Sequence, residues 1–510
     1  MHSNEKTPPT VPVEQSAHQR DLAGDDGAQL PFAWRSLVID RARRGELVSQ
    51  LLTGVVGLIE SGTLATGERL PSVRGISRAL GLSTFTVSEA YSRLVADGLV
   101  LGRPGAGYFV NGSRASPERS GRQISSPMAP QEIDPLMAEL YAPSANVLPV
   151  SAGWLPSSLH DNGWMQGIER QAIRLNPQRV QGYGHPLGLP ELRELLAHRM
   201  SIAGLLDVGH GQILLTRGAT QAFDLVLRTL TRPGDVVLME EPGYPPLAAL
   251  IEQLGCKLYR VPRSVRGIDL KALDELCEQH APKLFFVQTV LQNPLGTTLS
   301  ASDTHHLVNI AENRLLHLVD IDVCRELARA GDPSLAALDG LQRVIRIDST
   351  SKTLSPQFRV GSICAAGDLI KEFSRTKMVT GLPSSELEER IVKHALVSSE
   401  YRRMVARLKT RLALAIDTGL SALDAYDMKP LATPQGGFFI SAGFSPNGFG
   451  TDTISPTGSS IARLALDNGL LLLPGHFFTA ENSSDPPWFR FNLAWIDHPR
   501  VQEFFESIKR

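Results

Sequence analysis

A lysine preceded by hydroxyl side chains is the part of this sequence best suited to covalent chemistry. Ser349-Thr350-Ser351-Lys352 follows an apolar segment, and Arg359 lies seven residues further along the chain. A lysine amine placed at the exit of a buried strand can form a Schiff base with a carbonyl compound. Hydroxyl groups and an arginine beside it suit the oxygens of a phosphate. The spacing therefore indicates a Schiff-base lysine next to a phosphate site.

The lysine lies in a region where apolar strands alternate with helical stretches. This alternation predicts an α/β domain with a mixed, mostly parallel sheet that is covered on both faces. In such open sheets, ligands bind at the carboxyl ends of the strands. A long helix predicted over 386–423, followed by short strands and helices, indicates a smaller C-terminal subdomain. The predicted strands are 212–215, 236–239, 284–287, 315–319 and 344–347.

Several predicted strands end in loops whose residues could contact one ligand. Arg217-Gly-Ala-Thr-Gln221 opens a helix, where free backbone N–H groups can hold a phosphate. Tyr244 could stack on an aromatic cofactor, and Asn293 could offer its amide to a phenolic oxygen. Taken singly, a packed tyrosine, a loop asparagine or a surface lysine is the commoner explanation. Their order at successive strand ends favours a single cofactor pocket.

The region from Pro31 to Gly112 has a different character. Apolar residues at helical spacing predict a first helix that ends near Ser61, and Ser72 and Ser83 are positioned to cap two shorter helices. Residues 99–110 alternate strand and turn chemistry, as a two-stranded wing does. These features are typical of a winged helix-turn-helix, whose second helix enters the major groove of DNA.

The charge distribution agrees with a local DNA-binding role. The whole chain has a net charge of −2, which excludes a generally basic nucleic-acid binder. Residues 31–112 nevertheless carry nine arginines against six acids, an excess that suits phosphate contacts. On pattern and charge alone, a three-helix oligomerisation domain with a basic face is an equal alternative. The candidate DNA contacts are Arg69, Ser72, Arg74, Ser83, Thr84, Thr86, Arg103 and Gly105.

Several fixed spacings in this region resemble the GntR family of winged-helix regulators. They are carried by Gly67-Glu-Arg-Leu-Pro-Ser-Val-Arg74, Leu80-Gly-Leu-Ser83 and Leu94-Val-Ala-Asp-Gly98. The resemblance implies a DNA-binding domain rather than an oligomerisation domain. One position departs from it: where the family usually has an arginine at the start of the recognition helix, this chain has Thr84, followed by Phe85. The resemblance therefore implies an operator that is read without that arginine.

The region 147–510 resembles fold-type I pyridoxal-phosphate enzymes of the aminotransferase kind. Besides the ordered strand-end groups, Tyr183 lies in Tyr-Gly-His-Pro-Leu-Gly188 and Arg490 in Phe-Arg-Phe-Asn-Leu-Ala494. The resemblance implies pyridoxal 5'-phosphate as cofactor and Lys352 as the catalytic, Schiff-base lysine. It also implies that Tyr183 reaches the neighbouring subunit's phosphate in a homodimer and that Arg490 binds the carboxylate of an amino acid. The other residues implied to contact the cofactor are Ala219, Thr220, Ser349 and Arg359 at the phosphate, and Tyr244 and Asn293 at the ring.

A GntR winged helix joined through a linker to an aminotransferase-like domain resembles the MocR subfamily of regulators. The predicted divisions are a disordered arm (1–30), the DNA-binding domain (31–112), a linker (113–146) and the aminotransferase-like domain (147–510). The resemblance implies a transcriptional regulator that binds pyridoxal phosphate and senses this cofactor or an amino-acid-like effector. Its other implied partner is double-stranded operator DNA with repeated half-sites.

The sequence departs from the aminotransferase pattern near the cofactor's ring nitrogen. Family members commonly have Glu-Asp-Asp and then Tyr where this chain has Asp320-Ile321-Asp322-Val323-Cys324. A carboxylate at the middle position keeps the ring protonated, which makes it an electron sink. Because strand side chains alternate, Asp320 and Asp322 are expected to point away from the side that Ile321 faces. A one-residue shift in register is the alternative. The departure favours a sensor with weak turnover over an efficient transaminase.

Two other functions remain open from sequence. One is an active aminotransferase whose N-terminal domain only helps it to oligomerise, and the other is a regulator that has lost the cofactor and binds a different effector. Neither a metal site nor a disulfide framework is expected, because the four cysteines are scattered without a CxxC pair. No apolar run approaches the roughly 20 residues of a membrane span, and the N-terminus lacks the pattern of a signal peptide. A cytoplasmic protein without a membrane partner is therefore predicted.

Overall fold

The structure is a computed structural model of the 510-residue chain. The described residues fall into two compact units, one before residue 131 and one from residue 131 onward. The predicted N-terminal arm and most of the predicted linker lie outside the described residues. These residues are 34, 39, 47–60, 63–65, 67–103, 106–111, 136, 139–140, 144, 146–160, 162–173, 182–444, 457–480 and 487–508.

In its described part, the first unit contains three helices and a two-stranded antiparallel wing. The helices are α1 (Leu47–Glu60), α2 (Val73–Leu80) and α3 (Thr84–Ala96). The wing is formed by β1 (Val100–Arg103) and β2 (Gly107–Val110), with Val100 opposite Val110. This is the arrangement of a winged helix-turn-helix, as the sequence predicts.

Two serines fix the start of α2 and α3. The Ser72 hydroxyl accepts a hydrogen bond from the Gly75 N–H, and the Ser83 hydroxyl accepts one from the Thr86 N–H. Each cap satisfies an amide in the first turn that has no acceptor within its own helix. Gly81 ends α2 in the left-handed conformation with a φ of 60°. Local sequence chemistry alone thus defines the turn between the two helices.

The inner face of α3 anchors the first unit. Val87, Tyr91 and Leu94 are fully buried, as helical spacing predicts. The Tyr91 hydroxyl donates to the Pro71 carbonyl oxygen at 3.0 Å, and its ring meets the Tyr108 ring edge-on at 4.9 Å between centroids. These contacts join the recognition helix to the turn before α2 and to the wing. The opposite face of α3 is left for solvent or DNA.

An eight-stranded sheet forms the centre of the second unit. Its order is β3, β10, β9, β8, β7, β4, β5, β6, in which β9 to β5 are mutually parallel and β10 runs antiparallel to both β3 and β9. It is the mixed, mostly parallel sheet that the sequence predicts. The strands are β3 (Ile213–Thr216), β4 (Val236–Glu241), β5 (Lys257–Ser264), β6 (Gly267–Ile268), β7 (Leu284–Val287), β8 (His317–Ile321), β9 (Val344–Ser349) and β10 (Gly361–Cys364).

Helices cover both faces of this sheet. One face packs against α6, α7 and α11, and the other packs against α4, α5, α8 and α9 together with two helices described below. Burial on both faces explains why strands such as β7 are continuous apolar runs. The helices are α4 (Met165–Ile173), α5 (Pro190–Ile202), α6 (Gly218–Leu230), α7 (Pro245–Gln253), α8 (Leu270–His280), α9 (Ala301–Arg314), α10 (Leu335–Asp339) and α11 (Gly367–Thr380).

The single long helix predicted over 386–423 is wrong, because two helices, α12 (Glu386–Val397) and α13 (Ser399–Ala425), meet at Ser398. Ser398 has an extended backbone and its hydroxyl accepts from the Tyr401 N–H at 3.1 Å. This serine therefore ends one amphipathic stretch and caps the next.

A smaller sheet completes the second unit. Its antiparallel order is β11, β12, β14, β13, and an apolar cluster lies beneath it. Leu136, which the sequence assigns to the linker, is buried in the same cluster. The elements are β11 (Met428–Pro430), β12 (Phe439–Phe444), α14 (Gly458–Asp467), β13 (Leu473–Pro474), β14 (Trp488–Asn492) and α15 (Pro499–Ile508).

The sequence prediction fails where the burial pattern or the backbone conformation is irregular. Strand β5 is not predicted, since its exposed and buried residues follow no clean alternation. Leu315 belongs to a predicted strand but ends α9 in the left-handed conformation, with a φ of 54°. Within the described ranges, no helix is long and apolar enough to cross a membrane.

Candidate functional site

A cavity of about 230 Å³ lies where β4, β7, β8 and β9 end and α6 begins. This is the edge at which open α/β sheets bind ligands. The predicted site residues that the structure brings together are separated by up to 271 positions in sequence, from 219 to 490. The predicted site residues that line the cavity are Ala219, Thr220, Tyr244, Asn293, Ser349, Lys352, Arg359 and Arg490.

One end of the cavity has the features of an anion site. Ala219 and Thr220 belong to the first turn of α6, where backbone amides have no helical acceptor and the helix dipole favours negative charge. The Ser349 hydroxyl donates to the Ser351 hydroxyl at 2.9 Å, so two hydroxyls adjoin this turn. Arg359 supplies the cation. This donor set fits a phosphate group.

Gly218 allows Arg359 to approach the start of α6. Arg359 Nη2 donates to the Arg217 carbonyl oxygen at 3.2 Å, and a Cβ atom at Gly218 would lie only 2.8 Å from the same nitrogen. Gly218 also has a φ of 75°, in the region that glycine adopts without steric cost. Both the backbone conformation at position 218 and the nearby Arg359 guanidinium therefore require a glycine there.

Lys352 extends from a short 3-10 helix, Thr350–Lys352, that directly follows β9. Its Nζ donates to the Gly153 carbonyl oxygen at 2.6 Å. Burial lowers the pKa of Lys352, and the positive charges of Arg490 and Arg359 lower it further. A lowered pKa increases the fraction of neutral amine, which is the nucleophilic form. The surroundings of Lys352 thus suit an amine that reacts with a carbonyl group.

Arg490 is held in a fixed orientation on β14. Its Nη1 donates to Asn293 Oδ1 at 2.8 Å and its Nη2 to the Ser151 carbonyl oxygen. The guanidinium carbon lies 4.4 Å from the ring centroid of Phe439 and 5.0 Å from that of Phe478. Two hydrogen bonds and two aromatic rings within cation–π distance together restrict the orientation of a guanidinium. Arg490 therefore presents a pre-oriented cation to the cavity.

Tyr244 and Asn293 line the space between these charged ends. Tyr244 directly precedes α7, and its ring meets Phe223 edge-on at 6.4 Å between centroids. Because Asn293 Oδ1 accepts from Arg490, its NH₂ group is the part that can donate to a ligand oxygen. The middle of the cavity therefore offers an aromatic wall and one amide donor, as a substituted pyridine ring requires.

The end of β8 confirms the departure seen in sequence. Ile321 and Cys324 both line the cavity and are 8 % and 4 % exposed. Burial raises the pKa of the Cys324 thiol to about 11, so the sulfur is an uncharged packed group at neutral pH. This wall of the cavity is therefore apolar where the family pattern has a carboxylate.

Asp320 and Asp322 lie on the other side of β8 and are occupied there. Asp320 Oδ1 accepts from the Thr289 hydroxyl at 2.9 Å. Asp322 accepts from Arg346 Nε at 2.7 Å and from Arg325 Nε at 2.9 Å. Neither aspartate lines the cavity. The expected alternation is thus confirmed, and the alternative of a one-residue register shift is wrong.

Tyr183 is the predicted cofactor residue that the structure does not bring to the cavity. It is 83 % exposed and lies outside the lining. Its predicted role in a neighbouring subunit remains a prediction.

Sequence reasoning missed one wall of the cavity, formed by Gly153 and Trp154. The carbonyl oxygens of Ala152 and Trp154 accept from Asn492 Nδ2 at 2.9 and 2.8 Å. Asn492 lies more than 300 residues away from this wall in sequence. No local periodicity signals such a pairing.

The candidate DNA contacts form an exposed surface on the first unit. Arg69, Ser72, Arg74, Ser83, Thr84 and Arg103 are exposed and Thr86 is half-buried, while Gly105 lies outside the described residues. Arg69 lies over the wing, since a Cβ atom at Gly107 would be 3.3 Å from its Nε. The Arg103 guanidinium lies 5.0 Å from the Phe109 ring centroid. Two arginines therefore flank the wing with their charges toward solvent.

Comparisons with known proteins agree with both units. The model of aminotransferase class I and II matches residues 158–508, and that of bacterial regulatory proteins of the gntR family matches residues 49–110. Among solved structures, the chain is similar to an archaeal alanine:glyoxylate aminotransferase, with a TM-score of 0.65 and 26 % identity over 73 % of this chain and 92 % of that one. It is also similar in fold to LysN, the alpha-aminoadipate aminotransferase of Thermus thermophilus, with a TM-score of 0.64 and 24 % identity over 74 % and 93 %.

Curated transcriptional regulators are similar to this chain over most of its length. The HTH-type transcriptional regulator YdcR of Escherichia coli is 28 % identical over 86 % of this chain and 92 % of its own length. MocR of Rhizobium meliloti, a probable rhizopine catabolism regulatory protein, is 28 % identical over 68 % and 70 %. The chain therefore belongs to the aminotransferase class I and II family and joins that domain to a GntR-type DNA-binding domain. It is a transcriptional regulator of the MocR type, a group in which pyridoxal-phosphate binding is typical of the fold.

Gly218→Ala is expected to weaken pyridoxal-phosphate binding at least tenfold. The added methyl group would displace Arg359, and loss of one charge-assisted hydrogen bond costs about 1.5 kcal/mol or more. The dissociation constant can be measured by titration with the cofactor. Gly204→Ala is the matched control, because Gly204 also has a positive φ, of 65°, and a Cβ atom there meets nothing within 4 Å. An unchanged affinity in Gly218→Ala would contradict the assignment of the phosphate end.

Proposed function

We propose that this chain is a homodimeric regulator whose second unit binds pyridoxal phosphate at Lys352 and senses an amino-acid-like effector. The observation that carries the proposal is one cavity that combines a phosphate cradle, a lysine of lowered pKa and a pre-oriented arginine with an apolar wall at Ile321. Binding and sensing need the phosphate cradle, the lysine and the arginine. Efficient transamination would need a carboxylate in place of the apolar wall at Ile321.

The residues present fit most of the cofactor. Pyridoxal phosphate supplies an aldehyde that reacts with amines and a ring that can withdraw electrons. Lys352 would hold the aldehyde end, and Arg359 with the first turn of α6 would hold the phosphate. Tyr244 would cover one ring face, and the Asn293 NH₂ group would donate to the ring oxygen. This division of roles supports cofactor binding by this chain's own residues.

The apolar wall at Ile321 argues for sensing rather than turnover. Asp320 and Asp322 are committed to Thr289, Arg325 and Arg346 on the far side of β8. No Asp or Glu is found among the described residues that line the cavity. The ring nitrogen would therefore have no carboxylate partner to hold a proton, and proton removal from a bound amino acid would be slow.

The lining also indicates the charge of the effector. Arg490 offers a planar cation to a carboxylate. Around it, Trp154, Leu473 and Phe478 are apolar, and the only cations on the described lining are Lys352, Arg359 and Arg490. A cationic side chain would find no acid there, and a second carboxylate would find no further cation. The effector inferred is an amino acid, or a close analogue, with an uncharged and largely apolar side chain.

Effector binding would regulate transcription by shifting a population of conformations. A ligand changes such an equilibrium only if it binds one arrangement more tightly than another. In a homodimer, two winged helices would bind repeated half-sites in double-stranded operator DNA. The exposed Tyr183 is available to reach a neighbouring subunit's phosphate end, which would link cofactor binding to dimer formation. Such a regulator would act in the cytoplasm, where its operator is.

Replacing Lys352 tests the cofactor half of the proposal. Wild-type protein with added pyridoxal phosphate should absorb near 400 to 430 nm, the range of a lysine-bound cofactor. Lys352→Ala should lose this absorbance and should no longer change operator affinity in response to cofactor and effector. Lys371→Ala is the matched control, since that lysine pairs with Asp368 on the surface.

The outcome also separates the competing functions. If Lys352→Ala regulates normally, the protein is a regulator that has lost cofactor dependence. If the wild-type protein transaminates at enzyme-like rates and binds no specific DNA, it is a working aminotransferase.

The effector class can be tested with a series of side-chain charges. In cofactor-loaded protein, norleucine should raise the thermal midpoint, whereas glutamate and ornithine should bind at least tenfold more weakly. Arg490→Gln should remove the shift caused by norleucine, because the carboxylate loses its cation. Arg375→Gln is the control, since Arg375 pairs with Glu372 at the surface. Preferential binding of ornithine or glutamate would contradict the inferred class.

Ile321→Asp is expected to increase transamination at least tenfold over wild type. The new carboxylate would face the cavity and support a protonated ring nitrogen, which makes proton removal easier. Turnover is measured with an amino acid and a keto acid, and cofactor absorbance verifies that the variant is loaded. Ile321→Val, which keeps the wall apolar, should behave as wild type. Equal rates in loaded Ile321→Asp and wild type would contradict the role given to this position.

A further inference from the structure

The outer face of the recognition helix α3 carries an exposed aromatic side chain in its first turn. Phe85 is 76 % exposed. It follows Thr84 and the N-cap residue Ser83 at the start of the helix. The second helix of a helix-turn-helix places its N-terminal residues against base edges in the major groove. Phe85 therefore occupies a position from which a side chain contacts bases rather than the protein core.

The rest of α3 lacks the side chains that commonly read purines. Bidentate contacts to guanine or adenine are made by Arg, Lys, Asn and Gln. The helix sequence TFTVSEAYSRLVA contains no Lys, Asn or Gln, and its single arginine is Arg93. Arg93 lies in the last turn and pairs with Glu89 at 3.0 Å. Besides Phe85, the groove-facing start of α3 offers the hydroxyl side chains of Thr84, Thr86 and Ser88.

We propose that Phe85 recognises the 5-methyl group of thymine in the operator half-site. In the major groove, thymine is the base that presents a methyl group, and apolar side chains such as phenylalanine contact it. The methyl group of the adjacent Thr84 can extend the same apolar surface. The exposed Arg69, Arg74 and Arg103 supply positive charge for phosphates. The protein then reads base identity through an apolar contact, and contacts between its arginines and the phosphates fix its position on the DNA.

The experiment compares duplexes that differ only in this methyl group. Duplexes are selected from a random DNA library with the full-length wild-type protein, and each conserved thymine in the selected half-site is replaced singly by deoxyuridine. Loss of one buried methyl group is expected to weaken binding roughly fourfold at one position. Phe85→Ala should bind the thymine duplex more weakly and should no longer distinguish it from the deoxyuridine duplex at that position.

Val95→Ala provides the matched control, because Val95 is a partly exposed apolar residue in the last turn of the same helix. This variant should keep the fourfold difference between the two duplexes. Circular dichroism verifies that each variant retains its helices. The proposal is overturned if selection enriches no thymine, or if wild-type protein binds the thymine and deoxyuridine duplexes equally at every position. It is also overturned if Phe85→Ala keeps the full discrimination.

Discussion

The functional cavity depends on a close backbone contact at Gly361. This residue begins β10, which pairs with β3 on one side and with β9 on the other. A Cβ atom at Gly361 would lie 2.8 Å from the Gly218 carbonyl carbon and 2.9 Å from the Asp348 carbonyl oxygen. Only glycine lets the three segments approach this closely. This close packing of the three segments places Arg359, the start of α6 and the Lys352 segment around the cavity.

The same sheet separates two electrostatic environments across β8. On one side Ile321 contributes an apolar wall to the cavity, and on the other Asp320 and Asp322 are fully buried among Thr289, Arg325 and Arg346. Burial of a carboxylate is costly unless charged or polar partners compensate it. Asp322 has two arginine partners, whereas Asp320 accepts hydrogen bonds from Thr289 through one oxygen only, and burial with the nearby Asp322 charge raises the pKa of Asp320 to about 7. The aspartates are therefore structural here. Because both aspartates contact partners on the side of β8 away from the cavity, the described lining of the cavity carries cations and no carboxylate.

The two units bind their partners with different physics. In the cavity Arg490 is buried and Lys352 is half-buried, so a carboxylate gains more from a contact with these cations than it would in bulk water. The DNA-binding unit instead exposes its arginines around the wing and the start of its helices, where salt screens them. Selectivity in the first case comes from pre-orientation, as at Arg490. In the second it must come from side chains that reach the bases, which on α3 are few and uncharged.

The sequence by itself determined the class of fold, the winged helix and, to within two residues, the ends of the strands β4, β7, β8 and β9 that border the cavity, because these follow from local periodicity, caps and glycines. The resemblance to the aminotransferase pattern identified Ile321 as a departure, and alternation along the strand, a local property, predicted that Asp320 and Asp322 point away from the side that Ile321 faces. The sequence did not identify Gly153 and Trp154, the break at Ser398 or the position of Leu136 in the core of the second unit. Only the tertiary structure decided that Asp320 and Asp322 bind partners on the far side of β8, and that Phe439 and Phe478 hold Arg490. Those facts arise from contacts between segments far apart in the chain, whose geometry is set by the sheet and not by any local pattern.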